Sequence, residues 1–170
     1  MGTEFFEIVN GQGDIIGIAP RECCHGNPAL LHRTAHVVVM DADGRILLQK
    51  RAMDKDIQPG KWDTSVGGHL RPGEDFLQAA RREATEEIGL PADCELKHIF
   101  DLPIRNPIES ENTRVFITVY GGPFHAQAEE LDELRFWTWS EIRDAMGKDL
   151  FTPNLERELK VLERQLAVSS

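Results

Sequence analysis

The chain has 170 residues, with 29 acidic side chains against 19 Lys and Arg, for a formal net charge of −10. That length fits one domain able to bury about two-thirds of the surface its unfolded chain exposes, and 41% apolar with 28% charged residues argues against global disorder. The acidic balance excludes a non-specific nucleic-acid binder, because a phosphate backbone is met by clustered Lys and Arg. A phosphorylated small ligand would need a local basic patch, a divalent metal, or both. No run approaches the roughly 20 apolar residues of a membrane helix, so no membrane partner is expected. MGTEFFEIVNGQGD carries no basic leader followed by an apolar stretch, so a secretory signal is not expected either. The cysteines, Cys23, Cys24 and Cys94, are odd in number with two adjacent, which fits reduced thiols in a cytoplasmic protein better than a disulfide framework.

In chain order, Phe5–Val9 and Ile15–Ala19 flank Asn10-Gly11-Gln12-Gly13-Asp14 and predict a hairpin. Residues 20–31 read as irregular. Ala35–Met40 and Arg45–Gln49 flank Asp41-Ala42-Asp43-Gly44 as a second hairpin. A short strand over Trp62–Val66 follows the Pro59-Gly60 turn. The clearest helix is Asp75–Ile88: Pro72-Gly73 precedes it, and Gly89 followed by Leu90-Pro91 stops it. Leu77, Ala80, Ala84 and Ile88 give it a narrow apolar stripe. Strands are predicted at Leu96–Leu102, Arg114–Tyr120 and Leu134–Thr138, then a short helix with Ser140 as N-cap. The last helix, about Pro153–Leu166, carries Leu155, Leu159, Leu162 and Leu166 on one face as a docking stripe. Without a regular βαβ alternation, the expectation is a mixed sheet covered by helices. The division expected is 1–34 as N-terminal hairpin and loop, 35–145 as core and 146–170 as C-terminal helix, all in one domain.

Glu83, Glu86 and Glu87 stand at i, i+3 and i+4, within an arc of about 100° on the helix. Like charges at that spacing disfavour an isolated helix, and they lie near its negative end. A solvated face tolerates them; a divalent cation would neutralise them, and hard oxygen ligands suit Mg²⁺ or Mn²⁺. Spacing alone leaves both readings open.

The surrounding string GGHLRPGEDFLQAARREATEEIGL, residues 67–90, resembles the signature of the Nudix hydrolase family. Its fixed positions fall on Gly68, Glu74, Arg82, Glu83, Glu86, Glu87 and Gly89, with Ala84 smaller than the usual branched residue and Leu90 as the final aliphatic. The resemblance implies an α/β Nudix fold, an α/β/α sandwich with a mixed central sheet. It also implies a Mg²⁺- or Mn²⁺-dependent pyrophosphohydrolase, in which water attacks phosphorus of a nucleoside diphosphate derivative or similar organic diphosphate. On that resemblance Glu83, Glu86 and Glu87 ligate metal, Arg82 orients Glu83, Glu74 supports the loop or a second metal, and Gly68 lets a backbone carbonyl approach the metal. The base that activates water is open between Glu83, Glu111 and the acidic run Glu129-Glu130-Leu131-Asp132-Glu133.

Outside this box, His25, His32 and QKRAMDKDIQPGKWDTSVGGH at 49–69 look like the isopentenyl-diphosphate isomerase branch of the superfamily. That branch implies a second metal site at His25, His32, His69 and Glu111, and diphosphate-binding cations at Arg21, Arg51 and Lys55. Its proton-transfer Cys and Glu fall on Gly67 and Thr113, neither of which can move a proton in that role. Isomerase activity is therefore disfavoured, and a non-catalytic diphosphate-binding module is the other alternative, against which the full glutamate set argues. Cys23-Cys24-His25 as a zinc site is set against buried thiols, the preferred reading. His36 is expected to be packed, and Trp62, Phe136, Trp137 and Trp139 mostly core. Sequence does not determine the oligomeric state.

Overall fold

The computed structural model describes residues 2–55, 57–127, 129 and 131–170. The first hairpin forms as expected, β1 (Phe5–Val9) against β2 (Ile15–Pro20), as a separate two-stranded sheet. Its turn is closed by the Asn10 side chain, which accepts from the backbone N–H groups of Gln12 and Asp14. Within the stretch read as irregular, Arg21–Cys24 forms one helical turn, α1.

A seven-stranded mixed sheet follows. It comprises β3 (Leu31–Met40), β4 (Ile46–Arg51), β5 (Trp62–Asp63), β6 (Val66–His69), β7 (Lys97–Arg105), β8 (Ser110–Val119) and β9 (Leu131–Trp137), with α2 (Phe76–Ile88), α3 (Trp139–Ala145) and α4 (Pro153–Val168) packed on it. β3 and β8 are parallel over their whole lengths, whereas β3/β6, β4/β9 and β7/β8 are antiparallel. Alternation along β3 sends Ala35, Val37 and Val39 to the α2 side, with Val66, Ala80, Ala84 and Ile88. Val38 goes to the other side, with Trp137, Ile142, Leu155, Leu159 and Leu162 of the α3/α4 layer. The result is an α/β/α sandwich.

The expected strand over Trp62–Val66 is two strands. β5 pairs with β4 and β6 with β3, because β3 and β4 splay after a single pair, Met40 with Ile46. Ser65 fills the divergence: its hydroxyl accepts from Val39 N–H at 2.9 Å and donates to Leu47 O. The short helix is capped by Thr138, not Ser140, in a reciprocal box with Glu141. Asp75 likewise sits outside α2 as its cap, with Gln78. Leu77 is 39% exposed rather than on the buried stripe, where Ala79 takes its place. The acidic run is partly strand, since β9 begins at Leu131; Glu130 lies outside the described residues. No described helix is long and apolar enough to cross a membrane.

Candidate active site

Register on the α3/α4 face of the sheet lines up a polar band. In β3, His32, Thr34 and His36 share this face; parallel pairing sets Glu111, Thr113 and Val115 of β8 opposite them, and antiparallel pairing sets His69 beside Thr34 and Gly67 beside His36. His25 joins from the segment just after α1. His25, His32 and His69 thereby offer ring nitrogens all within 4.8 Å of one another, the one such group of three or more found among the described residues. Glu111 Oε1 lies 3.4 Å from His32 Nε2 and 3.3 Å from His69 Nε2. Phe6 of β1 stacks on His69 at 4.2 Å between ring centroids and on His32 at 5.1 Å, so the hairpin covers the cluster. A cavity of about 290 Å³ opens beside it, between Glu4, Phe6, His69 and Arg71.

The chemistry of this group fits a divalent cation. The Nε2 atoms of His25, His32 and His69 are buried without a hydrogen-bond partner among the described residues, a costly state for polar nitrogens unless a ligand completes them. Burial, reinforced by the neighbouring His69 and Arg21, holds His25 down at about 4, and burial also lowers His69, so both present neutral, coordinating imidazoles near pH 7. Burial opposes charge on Glu111, but the adjacent His32 and His69 outweigh it and keep the carboxylate ionised. Burial and the nearby Glu111 push Glu109 up to about 7. Glu109 is a participant that the sequence reading did not single out: its Oε2 lies 4.0 Å from His25 Nε2. The Glu109-x-Glu111 spacing just before the β8 apolar run was the available signal.

Arg82 organises the carboxylates of α2. Its Nε and one amino nitrogen grip Glu74 at 2.7 and 2.9 Å, the other amino nitrogen donates to Glu83 at 2.6 Å, and a further donation reaches His69 O at 3.0 Å. Burial raises Glu83, and Arg82 works against that rise. Glu86 takes a longer contact of 3.4 Å from Arg82, and Glu87 accepts from Gln49 at 3.3 Å. The three box glutamates share one stretch of α2, with their oxygens spread among these partners. Gly68 closes on this group: a Cβ there would lie 2.1 Å from Glu83 Cδ. Gly89 at φ 67° caps the helix in the left-handed region.

The expected cations are held by different elements. Arg21 on α1 pairs with Glu4 at 2.7 Å. Arg51 at the end of β4 donates to Ile57 O at 2.9 Å and lies 3.7 Å from Asp63. Lys55 lies in the following turn, its backbone N–H on Ala52 O. Of the Cys23-Cys24-His25 string, His25 enters the histidine cluster, Cys24 packs under the hairpin with Phe6 and Ile8, and Cys23 is exposed, so only one of the two thiols is buried. Trp62 and Trp137 pack edge-to-face in the core. His36 is packed as expected, its side chain 12% exposed, but also paired, its Nδ1 2.5 Å from Glu158 Oε2. Glu158 is the one charged position on the buried stripe of α4, a signal the leucine pattern obscured.

Residues 30–160 match the NUDIX domain model. An uncharacterized Nudix hydrolase of Yersinia pestis is 36% identical over 162 residues, covering 93% of this chain and 85% of the relative. The isopentenyl-diphosphate Delta-isomerase of Streptomyces avermitilis is 32% identical over 151 residues, covering 86% and 77%. Among solved structures, the Deinococcus radiodurans protein DR0079 superposes with a TM-score of 0.77 at 21% identity, over 92% of this chain and 98% of that one.

Proposed function

The chain belongs to the Nudix family, and we propose that this Nudix-type pyrophosphohydrolase acts on organic diphosphates through two neighbouring metal-binding groups. Glu83, Glu86 and Glu87, with the Gly68 carbonyl, would hold Mg²⁺ or Mn²⁺ at the box; His25, His32, His69 and Glu111, joined by Glu109, would hold a second ion. Three imidazoles favour the borderline Mn²⁺ over the harder Mg²⁺ at the second group. The observation that carries the reading is the Arg82 hub. One guanidinium fixes Glu74 and Glu83 and reaches His69 O, tying the box helix to the strand that carries the histidine cluster.

A divalent cation bound there supplies charge neutralisation for the diphosphate and acidifies water. The chain's own contribution is placement. Arg82 holds Glu83 against Gly68, where the carboxylate can accept a proton from water, and Arg21, Arg51 and Lys55 supply positive charge for the phosphate oxygens. In the reaction the water oxygen bonds to one phosphorus as the P–O–P bridge to the other breaks. The displaced phosphate keeps the bridging oxygen, and the water proton passes to the base.

Glu86→Gln or Glu87→Gln should cut Mn²⁺-dependent release of phosphorylated product by at least about 100-fold while leaving the circular dichroism spectrum intact. Full activity in both variants would sink the assignment. The identity to the Streptomyces isomerase favours a second reading, alkene isomerisation. Against it, Gly67 bears no side chain, and Thr113 is buried with its hydroxyl 2.6 Å from that of Thr34. Isopentenyl diphosphate in deuterated water should take up no deuterium; uptake would establish the isomerase.

A further inference from the structure

Two consecutive residues of β1 tie the N-terminal hairpin to both metal-binding groups. Phe6 stacks on His69 and His32 and closes the histidine cluster. Glu7 points away from that cluster, as successive strand residues do, and meets Arg33, the neighbour of His32 on β3. Its Oε2 accepts from Arg33 at 2.5 Å, with the two side chains only 12% and 16% exposed. Arg33 is held in turn from the α2 side, its guanidinium 5.7 Å from the centre of the Phe76 ring. The other oxygen of Glu7 accepts from the backbone N–H of Gly73 at 3.0 Å. Gly73 immediately precedes Glu74, the carboxylate that anchors Arg82. β1 lies outside residues 30–160, the stretch that matches the NUDIX domain model, so this contact reaches the box from beyond the family core.

The Gly73 N–H is where the approach to the helix can swing. Residues 71–74 form a β-turn, Glu74 N–H donating to Arg71 O at 3.0 Å. Pro72 and Gly73 occupy its centre, and Gly73 has φ 85°, the signature of a type II turn. A type I turn differs by a flip of the central peptide, the one that carries the Gly73 N–H, and glycine tolerates both. An acceptor on that N–H selects between them. Arg71, Pro72 and Gly73 are exposed, so packing does little to choose, and Glu7 supplies the acceptor. With the peptide fixed, Glu74 leaves the turn in one direction. Its carboxylate then accepts from Arg71 N–H at 2.8 Å and from Arg82 at 2.7 and 2.9 Å, and Arg82 donates onward to Glu83 at 2.6 Å.

We propose that Glu7 is a positioning residue of the active site: by holding the Gly73 amide it sets the turn that aims Glu74 at Arg82, and through Arg82 it places Glu83. The hairpin is then a working part of the enzyme, sealing the histidine group with Phe6 and setting the box with Glu7. Both oxygens of Glu7 are committed, to Arg33 and to Gly73, so it acts through the turn rather than on substrate or metal. This rests on the hydrolase reading above and adds a residue to the machinery of that site.

The test uses the full chain with Mn²⁺ and ADP-ribose, and compares wild type, Glu7→Ala, Glu7→Gln, Glu74→Ala and the Glu7→Ala/Glu74→Ala double variant. Glu7→Ala should lower kcat at least about tenfold, the worth of a hydrogen bond to a charged group. In the Glu74→Ala background the same change should cost less than about twofold, because Glu7 acts through Glu74. A part confined to holding the hairpin would lower kcat alike in both backgrounds, and that result overturns the proposal. A second readout needs no turnover. In ¹H–¹⁵N spectra without added metal, the Gly73 amide and the Arg82 Nε–H should exchange with solvent at least about tenfold faster in Glu7→Ala, with the amides of β3 unchanged. Unaltered exchange at both positions also overturns the proposal. If wild type does not cleave ADP-ribose but both exchange rates rise, the hydrolase reading fails for that compound and the positioning of Arg82 by Glu7 stands. Where the alanine variant does not fold, Glu7→Gln decides. It keeps an acceptor for Gly73, so kcat and Gly73 protection should both stay within about threefold of wild type; loss of kcat with protection kept would remove Glu7 from this chain of contacts.

Discussion

Gly68 illustrates how little room the box leaves at the scale of one residue. Its missing side chain is the space occupied by Glu83, at 2.1 Å for a hypothetical Cβ, and Glu83 is held there by Arg82 at 2.6 Å. Gly68→Ala must therefore push the carboxylate off the guanidinium. Metal-dependent turnover should fall by about 100-fold or more in a steady-state assay, with the urea midpoint little changed; full turnover would show that Glu83 need not sit there. His36 gives a stability prediction of definite sign. Its value rises from 6.5 unfolded to about 9 folded, so the folded state binds the proton more tightly. The pair's contribution is complete below about pH 6.5, fades as pH climbs toward 9 and is gone above it. The stability gap between wild type and Glu158→Gln should narrow steadily from pH 6 to 9.5 in urea titrations; a gap constant with pH would mean the proton is not held by this pair.

Elements were legible in the sequence wherever a single periodicity governed them. The box helix, the first hairpin and the leucine face of α4 all follow from spacing and punctuation. β3 and β8 were read short at their N-terminal ends, Ala35 for Leu31 and Arg114 for Ser110, because the inward positions there are His32, Thr34, Glu111 and Thr113. Those polar residues broke the apolar alternation for the same reason that they form the site. Glu109 and Glu158 were missed on a related ground: a buried acid is recognisable only by its partner, and the partners His25 and His36 come from distant strands and loops. The β5/β6 switch at Ser65 depends on the splay of β3 from β4, which no local pattern encodes. The α3 cap was misplaced by two residues, and that difference can be measured. Thr138→Ala removes an acceptor for Glu141 N–H and should cost about 1 kcal/mol, or roughly 2–4 °C in a chain of this size. Ser140→Ala should move Tm by no more than about 1 °C. Equal losses would mean the cap does not reside at Thr138.

Over the whole molecule, the net charge of −10 is compatible with an anionic substrate because part of it is concentrated where cations can neutralise it. Glu74, Glu83, Glu86 and Glu87 crowd one helix and its approach, while Glu109 and Glu111 sit against three imidazoles across the sheet. The histidine group joins three otherwise separate parts: His25 follows α1, His32 and Glu111 lie on central strands, and His69 leads into the box helix. A ligand that fits only this folded arrangement stabilises it by mass action, about 2.7 kcal/mol at 100 times its dissociation constant. For a chain of this length that is a rise in Tm of roughly 5–10 °C. Mn²⁺ should produce the rise in differential scanning fluorimetry, Mg²⁺ a smaller one through the carboxylates alone, and a chelator should reverse both. His25→Gln takes a partly exposed ligand from the group without opening the core, so it should lose most of the Mn²⁺ increment and keep the Mg²⁺ one. An undiminished Mn²⁺ shift in that variant would place the ion elsewhere and leave the buried imidazoles as structural groups beneath the hairpin.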